Sequence, residues 1–416
     1  MPTSGFLRLA RLATPRAITV MMGNPSTVRR VFDALLPARK RLIARDQITV
    51  DAQVVLAEVA APTGHEEARA LRVRTALRSL GLVAEMDAVG NIVASRPGAH
   101  DLAPVVVCAH LDTVFDAGIP HKVARTRERI VGPGIGDNAR GLAAMLAMVD
   151  AMGTTTVRTR RPILFVATTG EEGSGNLRGA RHLFATAAAG AYAAIALDGA
   201  GDERVVTHAL GARRYRITFN GPGGHSWASY GAPNAVHAAA ALTATIAAWP
   251  LTTTPRTTLS VSRIGGGSAI NAIPSDAWLE IDLRSTSAHE LGRLDEAIRH
   301  AARRAQEHEG LKSAAGAPLL RVVVQSIGDR PGGALPGDAL LGQVAFDATR
   351  LIGRSPDGAV ASTDANVPIG LGIPAIAIGA GGRGGETHTT REWFENRDGA
   401  LGIVRAMVIV TATAEL

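Results

Sequence analysis

The stretch Val105-Val106-Val107-Cys108-Ala109-His110-Leu111-Asp112 joins an unbroken apolar run to two groups that can bind metal or carry protons. A short continuous apolar run is typical of a strand that is covered on both faces of a sheet. Three more runs have this form: Ile163–Ala167, Ala193–Leu197 and Ala375–Ile378. Helical segments such as Glu66–Leu80 and Ala139–Met152 alternate with these runs, so the sequence predicts an α/β fold.

Between about residues 210 and 325 the pattern changes to alternating strands and amphipathic helices. The predicted segments are Arg214–Phe219, Pro233–Trp249, Thr257–Ile264, Ala277–Leu283, Ala288–Glu309 and Leu319–Gln325. Their order is β-α-β-β-α-β, which is that of a ferredoxin-like unit. Because the first pattern resumes afterwards, we expect an inserted α+β domain at 209–327, within a larger domain formed by 46–208 and 328–416.

The formal charge of +7 is concentrated at the N-terminus of the 416-residue chain. Residues 1–45 contain nine Arg or Lys and one acid, so the remaining 371 residues carry about −1. The body therefore has no general phosphate-binding charge, and we expect no nucleic-acid partner. We expect 1–45 to be a basic N-terminal extension that is disordered in part.

The chain has no apolar stretch long enough to predict a transmembrane helix, so we expect no membrane partner and a cytoplasmic location. The only cysteine, Cys108, lies within an apolar run, where a buried and unreactive thiol is the expected state.

Residues suited to metal binding or acid–base chemistry follow each of the four buried runs. They are His110 and Asp112, Glu171 and Glu172, Asp198, and His388 after a glycine-rich loop. In open α/β sheets, ligands bind at the carboxyl ends of the strands. Four such ends together predict a functional site at one edge of the sheet.

Asp137 is a further candidate, at the end of the glycine-rich stretch 132–136. Its position before a predicted helix is equally typical of an N-cap. A phosphate-binding loop is disfavoured, because the stretch matches neither glycine-rich phosphate motif and ends in an acid.

The candidate groups are imidazoles and carboxylates without thiolates, a set that suits zinc, manganese or cobalt. Two His and at least three acids exceed the needs of one catalytic ion, whereas a metal pair about 3.5–4 Å apart that shares a carboxylate accommodates them. Of the doublet Glu171-Glu172, one residue can bind metal while the other acts as general base; a solvated turn is the alternative. Asp112 could orient the His110 ring.

In order along the chain, His110-Leu111-Asp112-Thr113-Val114, Gly136-Asp137-Asn138, Thr169-Gly170-Glu171-Glu172-Gly173, Asp198-Gly199 and His388 resemble the motifs of the M20 metallopeptidases. The resemblance covers about residues 48–405. It implies a phosphorylase/hydrolase-like catalytic domain with a mixed sheet, plus an inserted ferredoxin-like lid through which two copies form a homodimer.

The resemblance also implies a role for each residue. His110 and Asp198 would hold one ion, Glu172 and His388 the other, and Asp137 would bridge them through a cis bond to Asn138. Glu171 would be the general base, and Asp112 would orient His110.

In the lid, three residues match substrate-binding positions of the family. His225, in Gly223-Gly224-His225-Ser226, would reach across the dimer to the reacting carbonyl. Asn271 would contact substrate, and Arg284 would bind a substrate carboxylate. Asp364 is either a second-layer residue of the metal site or part of a structural turn.

The function expected from these features is zinc-dependent amide hydrolysis of small peptides, as in aminopeptidases and tripeptidases. Two Zn²⁺ are implied, with Co²⁺ or Mn²⁺ as substitutes. The run Gly134-Ile135-Gly136 before Asp137 is closer to peptidase T-like members than to the biosynthetic deacylases. The alternative is an N-acyl-amino-acid deacylase similar to acetylornithine deacetylase or succinyl-diaminopimelate desuccinylase. A non-catalytic metal-binding scaffold is disfavoured, because the base and all five ligands are present.

Overall fold

The structure, a computed structural model, describes residues 25–314 and 319–415. Residues 1–24, which make up about half of the expected basic extension, lie outside the described part of the chain.

The helices of the described residues, in chain order, are α1 (Pro25–Ala34), α2 (Leu36–Ala44), α3 (Asp46–Ala57), α4 (Glu67–Ser79), α5 (Ala139–Met152), α6 (Arg178–Ala185), α7 (Ala235–Ala247), α8 (Ala288–Leu311), α9 (Leu340–Leu351), α10 (Asn366–Gly370) and α11 (Gly399–Thr413). No helix among these is both long and apolar enough to cross a bilayer.

The strands of the described residues, in chain order, are β1 (Ala84–Met86), β2 (Ile92–Arg96), β3 (Val105–His110), β4 (Ala124–Arg125), β5 (Ile130–Val131), β6 (Ile163–Thr168), β7 (Ala193–Leu197), β8 (Arg204–Ala209), β9 (Gly211–Asn220), β10 (Gly224–His225), β11 (Thr257–Gly266), β12 (Ala272–Ile273), β13 (Asp276–Ser285), β14 (Arg321–Arg330), β15 (Gly333–Ala334), β16 (Asp357–Ala361), β17 (Ala375–Ile378), β18 (Arg383–Gly385) and β19 (Trp393–Glu395).

A mixed central sheet has the strand order β1-β2-β6-β3-β7-β17-β8-β15, and β16 pairs with β8. Strands β6, β3, β7 and β17 are neighbours and run parallel, so their carboxyl ends meet at one edge. These are the four strands that the apolar runs predict, and the predicted α/β fold is confirmed. Strands β3 and β6 each extend one residue beyond the apolar run, so that His110 and Thr168 end them.

The two faces of the central sheet contribute to separate apolar clusters, because successive side chains of a strand point to opposite faces. In β3, Val105 and Val107 join the larger cluster, which includes residues of α5 and α11. Val106 and Cys108 join the other cluster, which includes residues of α6. Cys108 is therefore a buried free thiol, as expected.

The helices α1 and α2 differ from the expectation of a separate basic extension at 1–45. Their apolar side chains recur at intervals of three and four residues and are buried in the main core: Val28, Val31, Leu35, Ala38 and Leu42. Such spacing places them on one helical face. Among the arginines outside this stripe, Arg41 pairs with Asp150 of α5 at 2.8 Å. Residues 27–44 are thus part of the packed core.

Replacing Leu35 by Ala tests this packing. The side chain is fully buried, so we expect the free energy of unfolding to fall by about 2–5 kcal/mol. The adjacent Leu36 is 45% exposed, and Leu36→Ala should change stability by less than about 0.5 kcal/mol. Urea unfolding followed by circular dichroism measures both. Equal, small losses would contradict a core role for these helices.

A second sheet has the strand order β11-β13-β9-β14 and is antiparallel throughout. Apart from the two-residue strands β10 and β12, its chain order is β9-α7-β11-β13-α8-β14, the predicted β-α-β-β-α-β arrangement. Helices α7 and α8 pack on it around a separate apolar core. That separate core supports our proposal that 209–327 is an inserted domain and that 46–208 and 328–416 form the other one. Strand β14 continues to Arg330, however, three residues past the expected boundary.

The chain passes between the two sheets twice, and both crossings lie at the same point. The Asn366 side-chain amide donates to the carbonyls of Leu210 (2.9 Å) and Pro331 (2.8 Å), which belong to different crossings. A Cβ on Gly211 would lie 2.6 Å from the Gly332 nitrogen, so only glycine permits this approach. The side-chain amide of Asn366 thus holds both crossings in contact.

Candidate metal centre

The carboxyl edge of the central sheet brings the predicted ligands together. His110 ends β3, and Glu171 and Glu172 follow β6 by three and four residues. Asp198 follows β7 directly, and a loop after β17 leads to His388. Asp137 does not follow a strand of the central sheet; it lies in the loop between β5 and α5, two residues before α5 begins.

Asp137 lies between the two histidines. His110 Nε2 is 2.9 Å from its Oδ1, and His388 Nε2 is 3.2 Å from its Oδ2. His388 Nε2 is also 3.0 Å from Glu172 Oε1. His110, Asp137 and Glu172 each offer one ligand atom within 4.8 Å of the others. Each oxygen of Asp137 thus faces a different imidazole, which is the arrangement that a carboxylate shared by two ions requires.

The charges of this cluster depend on one another. Burial lowers the pKa of His110, but its contacts with Asp112 and Asp137 outweigh burial and raise that pKa well above its usual value. Hydrogen bonds to Asp137 and Glu172 raise the pKa of His388 to about 10.

The surroundings of the Asp198 carboxylate are a second observation that fits a bound metal ion. Burial, followed by the nearby Asp137 charge, raises the pKa of its carboxyl to about 7, and no hydrogen bond offsets this in the described part of the chain. A partly buried carboxylate without a hydrogen-bond donor is unfavourable unless a cation compensates it. The imidazole and carboxylate set that converges here is the donor chemistry of zinc, cobalt or manganese.

Asp112 contacts the centre differently from the expectation. His110 Nδ1 is 3.0 Å from the Asp112 main-chain carbonyl oxygen and 3.6 Å from its carboxylate. The carboxylate accepts the main-chain N–H groups of Glu171 and Glu172, both at 2.9 Å. Thus the carbonyl of Asp112 orients His110, whereas its carboxylate holds the glutamate doublet in place.

The side chains of Glu171 and Glu172 have different hydrogen-bond partners. Glu172 faces His388, whereas Glu171 faces the buried guanidinium of Arg330, with Arg330 Nη1 donating to Glu171 Oε1 at 3.1 Å. Burial raises the pKa of Glu171 well above its usual value. Sequence reasoning missed Arg330, because an arginine in Gly328-Asp329-Arg330-Pro331-Gly332 has only the pattern of a turn.

Glu392 was also missed, and it supports the Asp137 loop. Its carboxylate accepts main-chain N–H groups from Gly134 (3.2 Å), Gly136 (2.7 Å) and Asp137 (2.7 Å). Burial raises the pKa of Glu392 to about 7. The sequence signal was an acid four residues after His388.

Replacing Glu392 by Ala should weaken metal binding by roughly 10–100-fold, because three amides that hold the Asp137 loop lose their acceptor. Competition with a chromophoric chelator measures this affinity. Glu395, three residues further along and without a side-chain hydrogen bond among the described residues, supplies the control Glu395→Ala. An unchanged affinity in Glu392→Ala would show that the loop keeps its shape without this carboxylate.

Asn138, and not Asp137, is the N-cap of α5. The N-cap alternative considered for Asp137 therefore applies to the next residue. Its Oδ1 accepts the Gly141 N–H at 3.1 Å, and its Nδ2 donates to the Leu197 carbonyl at 2.8 Å. The peptide bond between Asp137 and Asn138 is cis, as the resemblance implies. With the helix capped by Asn138, the Asp137 side chain faces the two histidines.

Asp364 is buried in the turn that precedes α10, so the structural-turn alternative describes its main chain. Its carboxylate accepts a hydrogen bond from Thr168, the last residue of β6, at 2.5 Å. Burial raises the pKa of Asp364 to about 6.

A cavity of about 530 Å³ opens over the centre. Four arginine side chains line it: Arg204, Arg214, Arg284 and Arg330. Arg214 and Arg284 share the carboxylate of Asp282, at 3.0 and 2.6 Å. The predicted carboxylate-binding Arg284 is thus at the cavity, already paired with an acid.

His225 and Asn271 are not among the residues that line this cavity. Both are exposed and lie beside the small β10–β12 sheet. His225 Nδ1 accepts the Trp227 main-chain N–H at 3.2 Å. Their substrate-binding roles remain predictions.

The fold and the centre together are those of an α/β protein with a candidate metal site and a second, ferredoxin-like sheet. The family model for "Peptidase family M20/M25/M40" matches residues 106–411, and the chain belongs to this family.

Known relatives include both peptidases and a deacylase. Succinyl-diaminopimelate desuccinylase of Corynebacterium glutamicum is 28% identical over 337 residues, covering 78% of this chain and 86% of the relative. The structure of aminopeptidase PepT from Bacillus cereus is similar with a TM-score of 0.72 and 23% identity, covering 91% of this chain and 99% of that one. A Staphylococcus aureus tripeptidase has the same TM-score at 22% identity, covering 90% and 98%. These structural similarities establish the fold.

Proposed function

We propose that the protein is a two-metal hydrolase that cleaves amide bonds in small peptides, in the manner of an aminopeptidase or tripeptidase. The observation that carries the proposal is Asp137, whose two oxygens face His110 and His388 while Glu171 lies at the same cavity. A scaffold that only bound metal would not need a buried carboxylate beside the ligands.

The proposed ligand assignment follows the resemblance to the M20 motifs, and the contacts of His388 with Glu172 and Asp137 support it. His110 and Asp198 would hold one ion, Glu172 and His388 the other, and Asp137 would hold both. Two Zn²⁺ are proposed, with Co²⁺ or Mn²⁺ as substitutes. When bound, such ions polarise the amide carbonyl and lower the pKa of a water molecule.

Glu171 would act as general base and then as general acid. Its carboxylate would take a proton from the attacking water and return it to the amine that leaves. Burial raises the pKa of Glu171 above its ordinary value, and that direction makes its carboxylate a stronger base. Asp112 would keep Glu171 and Glu172 in place through their main-chain N–H groups.

A deacylase is the second candidate, and the cavity supports it. Three of the four cavity arginines are paired with acids, and Arg204 has no acidic partner among the described residues, so its charge favours an anionic substrate such as an N-succinyl or other acidic N-acyl amino acid. The desuccinylase relative points the same way. The four guanidinium groups do not exclude peptides, because a peptide has a terminal carboxylate for Arg284.

An activity panel separates the candidates. Zinc-, cobalt- and manganese-loaded protein would be given di- and tripeptides, N-acetyl amino acids and N-succinyl amino acids, with a chelator-treated control. Faster turnover of peptides supports the first proposal, and faster turnover of acylated amino acids supports the second. No turnover of any substrate with any of the metals would contradict both.

We also propose a homodimer formed through the lid, in the cytoplasm. In support, the His225 side chain is exposed and does not line the cavity of its own chain, so it could serve the site of a second copy. Light scattering with size-exclusion chromatography measures the mass in solution. A monomer at all concentrations would contradict this part of the proposal.

A further inference from the structure

We propose that Arg330 is a positioning residue that fixes the carboxylate of Glu171 for its role as general base. This inference rests on the proposed function, because it concerns the base of that reaction. It adds a residue from the second sheet to a centre that is otherwise built at the edge of the central sheet.

One guanidinium holds both the side chain and the main chain of Glu171. Arg330 Nη1 donates to Glu171 Oε1 at 3.1 Å, and Nη2 donates to the main-chain oxygen of Glu171. Among the described residues, Arg330 is the only hydrogen-bond donor to the Glu171 carboxylate. Without it, three side-chain torsions of the glutamate would be free to turn.

The main chain of Glu171 is also held on its N-terminal side by Asp112, whose Oδ1 accepts the Glu171 N–H at 2.9 Å. Glu171 therefore lies between a carboxylate that holds its N–H and a guanidinium that holds its carbonyl and carboxylate. Glu172 lacks this second restraint, and its carboxylate faces His388 instead. This asymmetry explains how two adjacent glutamates can have different roles.

Burial makes the Arg330–Glu171 pair specific. The two side chains are only 8% and 5% exposed. A buried charge that loses its partner is strongly unfavourable, so neither group has a better alternative inside the protein. The planar fork of arginine can reach two oxygens of one residue, whereas the single ammonium of lysine cannot reproduce that geometry.

The main chain of Arg330 is itself held. Arg330 is the last residue of β14, and the next residue, Pro331, accepts a hydrogen bond from Asn366 at 2.8 Å. Ser362 Oγ accepts a further hydrogen bond from Arg330 Nη1 at 3.1 Å. The guanidinium thus extends from a restrained point to the base.

A role in binding substrate is the competing interpretation. Arg330 lines the cavity, and its Nε is buried without a partner among the described residues. The two roles give different kinetics. Loss of a substrate contact raises KM, whereas a misplaced base lowers kcat at nearly constant KM.

The test uses Arg330→Met and Arg330→Lys in the full-length, metal-loaded protein, with the best substrate of the panel. We expect kcat to fall by about 100-fold in Arg330→Met, as a displacement of about 1 Å can cause, with little change in KM. Arg330→Lys should recover little of this loss. Metal content should stay equal to that of the unmutated protein. Arg161→Met is the matched control, because Arg161 is a largely buried arginine that bonds Glu415 far along the chain.

Two further measurements separate positioning from general damage. Guanidinium ions, added to Arg330→Ala below the concentration that unfolds it, should restore part of kcat, and they should not rescue Arg161→Ala. A crystal structure of Arg330→Met should have the Glu171 carboxylate displaced.

An unchanged kcat in Arg330→Met, a rise in KM alone, or an unmoved Glu171 in the crystal would each overturn the inference while the proposed function stands. If the unmutated protein hydrolyses nothing in the panel, the proposed function fails. The position of Glu171 in the crystal still decides whether Arg330 holds it.

Discussion

Replacing Glu171 by Gln is expected to lower kcat by roughly 10²–10⁴-fold, the usual contribution of a general base. The amide keeps the size of the side chain and can still contact Arg330, but it cannot accept a proton from water. The metal ligands are unchanged, so two bound ions are expected by elemental analysis. Steady-state kinetics on the best substrate of the panel measures the loss.

Glu386 supplies the control for this variant. It is an exposed acid close to His388 in sequence, and its partner is Arg391 at 2.8 Å on the surface. Glu386→Gln should keep nearly full activity, because an exposed ion pair contributes little. Equal turnover by Glu171→Gln and the unmutated protein would remove Glu171 from the mechanism.

Replacing Asp137 by Ala is expected to abolish measurable activity and to weaken the binding of both ions. Its two oxygens face both histidines, so this one side chain serves both proposed metal positions. The loss of affinity should exceed the roughly 10–100-fold that removal of an outer-layer partner causes. Elemental analysis after dialysis against a weak chelator gives the ion count.

Asp198→Ala is the informative comparison, because Asp198 is proposed to hold only one ion. We expect it to retain one of the two ions under conditions in which Asp137→Ala retains neither. If Asp137→Ala loses metal and Asp198→Ala keeps both ions, the ligand assignment is wrong. A protein that never holds more than one ion would contradict the two-metal proposal itself.

The apolar runs predicted the central sheet well because buried parallel strands have a strong local signal. The bounds predicted for the strands Ala193–Leu197 and Ala375–Ile378 agree with the structure. Burial on both faces demands apolar residues at every position, so the end of the apolar run marks the end of each of these two strands.

The positions of Glu392 and Arg330 could not be predicted in this way, because their contacts depend on the three-dimensional path of the chain. Glu392 bonds amides more than 250 residues away, and Arg330 bonds Glu171 across 159 residues. Neither has a periodic pattern. Their importance follows from burial beside the centre, which a sequence does not display.

The N-terminal helices show a different limit of sequence-based prediction. Residues 27–44 contain five basic residues and one acid, and their net charge favours a solvated extension, whereas the apolar spacing of Val28, Val31, Leu35, Ala38 and Leu42 favours a buried face. A stripe with spacing of three and four residues predicts a buried helical face even in a basic segment. Periodicity was therefore the better guide than net charge.

The two crossings at Leu210 and Pro331, which Asn366 holds together, affect the entropy that the chain loses when the central sheet forms. Strand β15 pairs antiparallel with β8, and Gly333 lies opposite Ala209. Strands β8 and β15 therefore form a β-hairpin of the central sheet, and the whole ferredoxin-like unit is the connection between them. The entropy of closing a loop grows only slowly with its length, so replacing a short turn by a long segment costs little. When the inserted unit folds with its two ends in contact, β8 and β15 can pair in the same register as they would with a short turn between them.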